Sequence, residues 1–91
     1  MDLFSLMSSY LTRMTGILTS HGGTLDKYIG DAVMGFFGAP LTLADHAKRA
    51  CATALAMRDA LPEFNADITA RGLAPVDFRV GIATGEVMVG N

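Results

Sequence analysis

Gly22 to Phe37 reads GGTLDKYIGDAVMGFF. Two apolar-rich runs, Thr24–Ile29 and Ala32–Phe37, are separated only by Gly30-Asp31. Glycine first in a two-residue loop is the mark of a type II′ hairpin, because that position needs a positive φ. The turn pairs Ile29 with Ala32 and Lys27 with Met34. Side chains alternate along a strand, so Leu25, Lys27, Ile29, Met34 and Phe36 are expected on one face. A lysine on that face is unusual, and its ordinary reading is a side chain that snorkels to the sheet edge.

Helical patterns flank the hairpin. Leu3, Leu6, Met7, Tyr10, Leu11, Met14, Ile17 and Leu18 recur at helical spacing. Gly22-Gly23 then supplies the left-handed residue that ends many helices. His21 falls in the last turn of that helix, without a second ligand one turn away. Downstream, Gly38-Ala39-Pro40 closes the hairpin, and a second helix is expected from about Leu43 to Arg71. Thr42 is its expected N-cap, and Asp45 lies in the first turn. Its expected buried stripe is Ala47, Ala50, Cys51, Ala54, Leu55, Leu61, Phe64 and Ile68. Pro62 is expected to kink or break it near Leu61, and Gly72 to stop it. His46, beside Lys48 and Arg49, reads as part of a solvated face.

Val76 to Thr84 alternates as a strand does, with Val76, Phe78, Val80 and Ile82 inward and Asp77 and Arg79 on the other face. Thr84-Gly85-Glu86 reads as a turn into a short strand, Val87–Val89. The order α-β-β-α-β-β is that of an α/β (α+β), ferredoxin-like βαββαβ pattern without its first strand and C-terminal part. An unpaired sheet edge and apolar surface are expected where that strand would lie, and such surfaces invite association.

The chain has 91 residues, enough for one small domain over 1–91. It is 51% hydrophobic and 18% charged, with a net charge of −2. Its seven basic residues are scattered, which argues against nucleic-acid binding. No run approaches the ~20 apolar residues of a membrane span, and the N-terminus lacks the basic region of a signal peptide. The single cysteine, Cys51, cannot form an internal disulfide and reads as an inert core residue of an intracellular, cytoplasmic protein.

Asp31 is the leading chemical candidate. A carboxylate on a tight turn has a fixed direction and suits Mg²⁺, which takes one or two carboxylates together with substrate phosphates. Arg79 could neutralise a phosphate with its planar fork, or form a surface ion pair with Asp77 or Glu86. There is no Ser-His-Asp arrangement, no Cys-His pair, no GxxxxGK[ST] and no CxxC. GEVMVGN does not lead from a strand into a helix and does not qualify as a phosphate loop.

Taken in order, GGTLDKYIGDAVMGFFGAP, DHAKRACATALAM and FRVGIATGEVMVGN resemble the catalytic domain of the class III nucleotidyl cyclases, the adenylate and guanylate cyclases. Bacterial adenylate cyclase domains are the nearest likeness. The resemblance covers the chain from its first helix on. It implies conversion of ATP to 3′,5′-cyclic AMP and pyrophosphate, for intracellular signalling. Two Mg²⁺ or Mn²⁺ ions per complete site would act on the ribose 3′-hydroxyl and the α-phosphate. By position, Asp31 matches a metal-binding aspartate and Lys27 the purine-reading lysine. Arg79 matches the arginine at the polyphosphate, and Gly30 joins Lys27 and Arg79 as a substrate-binding position. Lysine, where guanylate cyclases usually carry glutamate, implies ATP rather than GTP.

Family sites lie at the interface of a head-to-tail homodimer, so Asp31 and Arg79 would serve one site and Lys27 the other. The family's first metal aspartate, in a stretch like F-x-D-x-x-x-F-T, has no counterpart here. Its transition-state Asn and Arg and its second purine reader lie beyond the final Gly-Asn. The chain is therefore expected to be an internal piece of a catalytic domain, inactive alone, with room for other domains to anchor the full-length protein to a membrane. The competing expectation is a non-catalytic cyclase-like module for dimerisation or regulation. A diguanylate-cyclase-like enzyme is disfavoured, because its GG[DE]EF turn is absent.

Overall fold

The computed structural model describes residues 2–88. Four elements follow one another: α1 (Leu3–Ser20), β1 (Thr24–Ile29), β2 (Ala32–Phe36) and α2 (His46–Ala70). The strands form an antiparallel two-stranded sheet, so the described residues make an α+β fold.

Both helices end as glycine-terminated helices do. After α1, Gly22 adopts φ 84°, and the amides of Gly22 and Gly23 donate back to the carbonyls of Thr19 and Leu18. After α2, Gly72 adopts φ 86°, and Gly72 and Leu73 donate to Thr69 and Ile68. This double hydrogen bond is the Schellman arrangement. At the start of α1, Asp2 is the N-cap and accepts from the Ser5 amide at 2.7 Å. That bond holds the Asp2 carboxyl below its usual pKa.

The second helix departs from expectation in three ways. It begins at His46 rather than Leu43, and Thr42 does not cap it. Asp45 holds the N-cap position, but its carboxylate takes Arg49 Nε at 2.8 Å instead of a backbone amide. The helix also runs unbroken through Pro62. A mid-helix proline removes one hydrogen bond, and burial of Phe64 and Ile68 just beyond it supports the helix across that gap. Finally, only the C-terminal half of the predicted stripe is buried. Phe64 and Ile68 are covered, whereas Ala47, Cys51 and Leu55 are exposed. Cys51 is therefore not a core residue.

The core lies between α1 and the C-terminal half of α2. Leu6, Phe64 and Ile68 form its centre, with Tyr10, Leu73 and Val76 packed against them. The Tyr10 and Phe64 rings meet edge to face, with centroids 5.7 Å apart. Met14 and Leu18 extend the buried surface of α1 toward the sheet.

The hairpin turn is as expected. Ile29 opposes Ala32 and Lys27 opposes Met34. Gly30 has φ 58° while Asp31 has no positive φ, which is the type II′ combination. The register then slips at a β-bulge between Leu25 and Lys27, so Leu25 opposes Gly35 and Thr24 opposes Phe36. Leu25 is thereby moved off the Lys27 face, contrary to the simple alternation. Gly35 packs on Leu18, and Tyr28 Oη meets Thr15 Oγ1 at 2.9 Å. The Tyr28–Gly35 side thus faces α1, and Lys27, Ile29 and Met34 look outward and are exposed.

Val76–Thr84 does not form the predicted strand, and Val87 and Met88 are likewise irregular; Val89 lies outside the described residues. A strand needs a ladder partner for its amides and carbonyls. β2 pairs only with β1, and a groove separates it from Val76–Thr84. Asn65 on α2 supplies the backbone bonds at Val76 instead. Its Nδ2 donates to the Val76 carbonyl at 2.9 Å, and its Oδ1 accepts the Val76 amide at 2.8 Å.

Candidate functional site

The groove beside β2 has a volume of about 1020 Å³, at the upper end of the range for small-molecule sites. It is lined by residues of β2 and the stretch after it, by Val76 to Gly85, and by residues of α1 and α2. Most of the lining is apolar. The polar groups that reach it include Asp26, Asp31, Asp77, Arg79 and the half-buried His46. His46 therefore does not sit on a freely solvated face.

Asp31 is placed by the turn. Gly30 takes the backbone conformation that a side chain resists, and the next residue projects from the hairpin tip. Asp31 is exposed and lines the groove. Arg79 is exposed and also lines the groove, on the segment that Asn65 anchors. Among the described residues, neither Asp77 nor Glu86 forms an ion pair with Arg79; the Asp77 carboxylate accepts the Phe78 amide at 2.9 Å. Asp31 and Arg79 thus both line the same groove. Lys27 and Gly30 are not part of its lining. Lys27 stands on the outer face of the hairpin, with Nζ 3.8 Å from Asp26 Oδ2.

Three contributors were not singled out from the sequence. Tyr10, read only as a helix-face residue, also borders the groove. Burial raises the pKa of its hydroxyl, and the negative charges of Asp31 and Asp77 raise it further. Asp26 enters the groove because of the bulge, which no local pattern in TLDKYI announces. Asn65 reads as one more polar helix residue, and only the three-dimensional approach of Val76 reveals its role.

The donor chemistry at Asp31 suits a hard divalent cation. Among the described residues, no group of three His, Cys, Asp or Glu is gathered closely enough to hold a metal. Asp31 therefore offers one ligand rather than a complete metal site. His21 Nδ1 is engaged by the Ile17 carbonyl at 2.8 Å, so this histidine closes the end of α1. Among the described residues, no helix is long and apolar enough to cross a membrane.

Residues 1–91 match the family model of the adenylate and guanylate cyclase catalytic domain. Adenylate cyclase 1 of Rhizobium meliloti is 33% identical over 90 residues, covering 99% of this chain and 14% of that protein. The adenylate cyclase of Anabaena cylindrica is 33% identical over 95 residues, covering 98% of this chain and 18% of its own length. Human guanylate cyclase soluble subunit beta-2 is 30% identical over 87 residues, covering 96% of this chain and 14% of that subunit. Among solved structures, the guanylyl cyclase Cya2 superposes with a TM-score of 0.74 at 39% identity, over 79% of this chain and 36% of that one. The chain therefore spans about a seventh to a fifth of these sequence relatives. On the family model and these relatives together, the chain belongs to the adenylate and guanylate cyclase catalytic-domain family.

Proposed function

We propose that this chain is the part of an adenylate cyclase that carries one metal-binding carboxylate, one phosphate-contacting arginine and one purine-reading lysine. The observation that carries the reading is the common groove of Asp31 and Arg79, with Lys27 on the other side of the same hairpin. The reaction forms a bond from the ribose 3′-oxygen to the α-phosphorus and releases pyrophosphate, and the hydroxyl proton is lost. Bound Mg²⁺ or Mn²⁺ supplies charge stabilisation at the hydroxyl and phosphates. Asp31 would hold such an ion through one carboxylate, completed by ligands that are not among the described residues. Arg79 balances polyphosphate charge through a planar pair of N–H donors, which suits it better than a lysine point charge. Lys27 donates to an acceptor on the purine edge. Its outward placement suits a site shared between two copies in a head-to-tail dimer, at a cytoplasmic location.

The test is cyclic-nucleotide production by the full-length protein with Mg²⁺ or Mn²⁺. Asp31→Asn should lower kcat by about a hundredfold or more, the scale on which one preorganised charged group contributes to catalysis. Because the resemblance assigns a second metal carboxylate and the transition-state Asn and Arg to residues outside this stretch, the 91 residues alone should make no cyclic AMP. An Asp31→Asn protein of undiminished activity would overturn the assignment. A full-length protein that binds its own copies but forms no cyclic nucleotide would instead be a dimerisation or regulatory module.

A further inference from the structure

The bulge in β1 does more than correct the register. In a regular strand, neighbouring residues point to opposite faces, so an aspartate and the lysine after it cannot meet. The ladder slips between Leu25 and Lys27 and leaves Asp26 without a cross-strand partner. With alternation broken, Asp26 Oδ2 comes to 3.8 Å from Lys27 Nζ. Bulges commonly re-aim side chains beside functional sites.

The two side chains are unequally covered. The Asp26 side chain is 25% exposed, whereas that of Lys27 is 55% exposed. Asp26 borders the Asp31–Arg79 groove, while Lys27 lies outside it. Among the described residues no hydrogen bond from another residue engages the Asp26 carboxylate, and the one ion pair it makes is with the adjacent ammonium. A lysine on a four-carbon stem samples many rotamers in water, and an opposite charge beside it favours those that keep the ammonium close. Among the described residues Lys27 makes no other ion pair: its cross-strand partner is the uncharged Met34, and its outward neighbour Ile29 is apolar.

We propose that Asp26 is a positioning residue for Lys27. The bulge sets its carboxylate beside the ammonium, and this contact fixes the direction in which Lys27 presents its N–H donors to a nucleobase. The proposal rests on the reading of Lys27 as the purine-contacting residue. Asp26 touches no substrate in this scheme, so its contribution lies in discrimination between bases rather than in the bond-making step. A base that accepts a hydrogen bond where the ammonium is held would gain from the restraint. A base with a donor at that point would not.

The experiment compares kcat/KM for ATP and for GTP in the full-length protein, for Asp26→Asn, Asp26→Ala, Lys27→Gln and the Asp26→Asn/Lys27→Gln double variant. Asp26→Asn should lower the ATP-to-GTP ratio by about three- to fivefold, the upper part of what a half-exposed ion pair carries. In the Lys27→Gln background the same change should leave the ratio unaltered, because the group it positions is gone. Where Asp26→Ala fails to fold, by circular dichroism and thermal melting, the isosteric Asp26→Asn carries the test. An unchanged ratio in Asp26→Asn, or an equal drop with and without Lys27, overturns the proposal and leaves the lysine reading standing. An unchanged ratio in Lys27→Gln overturns both.

Discussion

A Cβ placed on Gly35 would lie 2.6 Å from Leu18 Cδ2 and 2.9 Å from the Thr24 carbonyl oxygen. Leu18 can shift its methyl groups, but the Thr24 carbonyl belongs to the hairpin backbone and cannot. Gly35→Ala should therefore destabilise the fold by about 1–3 kcal/mol, the usual cost of overpacking, read as a lower denaturation midpoint at unchanged slope. Gly16→Ala, on α1 with open space around it, is the control and should be neutral or slightly stabilising. At this scale the sequence was unevenly legible. Gly30 and Asp31 declared themselves, because a two-residue loop with a leading glycine admits few geometries. The pairing of Lys27 with Met34 followed from that turn. Asp26 did not declare itself, because a bulge is a choice between two registers that differ in what α1 covers. Here the slip places the half-buried Leu25 opposite Gly35, on the side that faces a helix distant in sequence.

The elements divide along the same line between local and non-local causes. α1 and its glycine stop, the hairpin and the end of α2 depend on neighbours in sequence, and all are found where their patterns place them. Val76–Thr84 alternates correctly yet is no strand, because alternation describes two faces and says nothing of a partner. Its first residue is held by Asn65, whose amide imitates one rung of a ladder. Asn65→Ala removes both bonds and leaves the part-buried Val76 amide and carbonyl without them. A loss of about 1–3 kcal/mol is expected, together with faster hydrogen exchange at Val76 than the β1–β2 ladder shows. An unchanged exchange rate at Val76 would mean that the segment is held by its apolar side chains alone. Arg79 depends on this anchorage, since it follows Val76 by three residues.

For the whole molecule, the decisive feature is apolar surface that the described residues leave open. Ile29 and Met34 on the hairpin, and Val80 and Ile82 across the groove, are each about half exposed. One edge of β2 has no hydrogen-bonded neighbour among the described residues, and Ala32–Phe36 carries no charge or proline. Uncharged apolar edges of this kind are the ones that pair with other chains. The 91-residue chain should therefore sediment with a weight-average mass that rises with concentration, and a constant monomer mass up to high concentration would contradict this. Met34→Glu gives the sharper test. Met34 is exposed and lies directly opposite Lys27, so the new carboxylate faces an ammonium across the strands. Cross-strand opposite charges contribute about 0.2–1 kcal/mol, so the hairpin should keep or slightly gain stability. The same charge on the outer face should oppose stacking of a second chain. The variant is expected to fold with an unaltered melting temperature and to sediment closer to monomer. If it folds but associates as strongly as the parent, the contact runs through the Val80–Ile82 side of the groove, and Val80→Glu should then be the variant that disperses it.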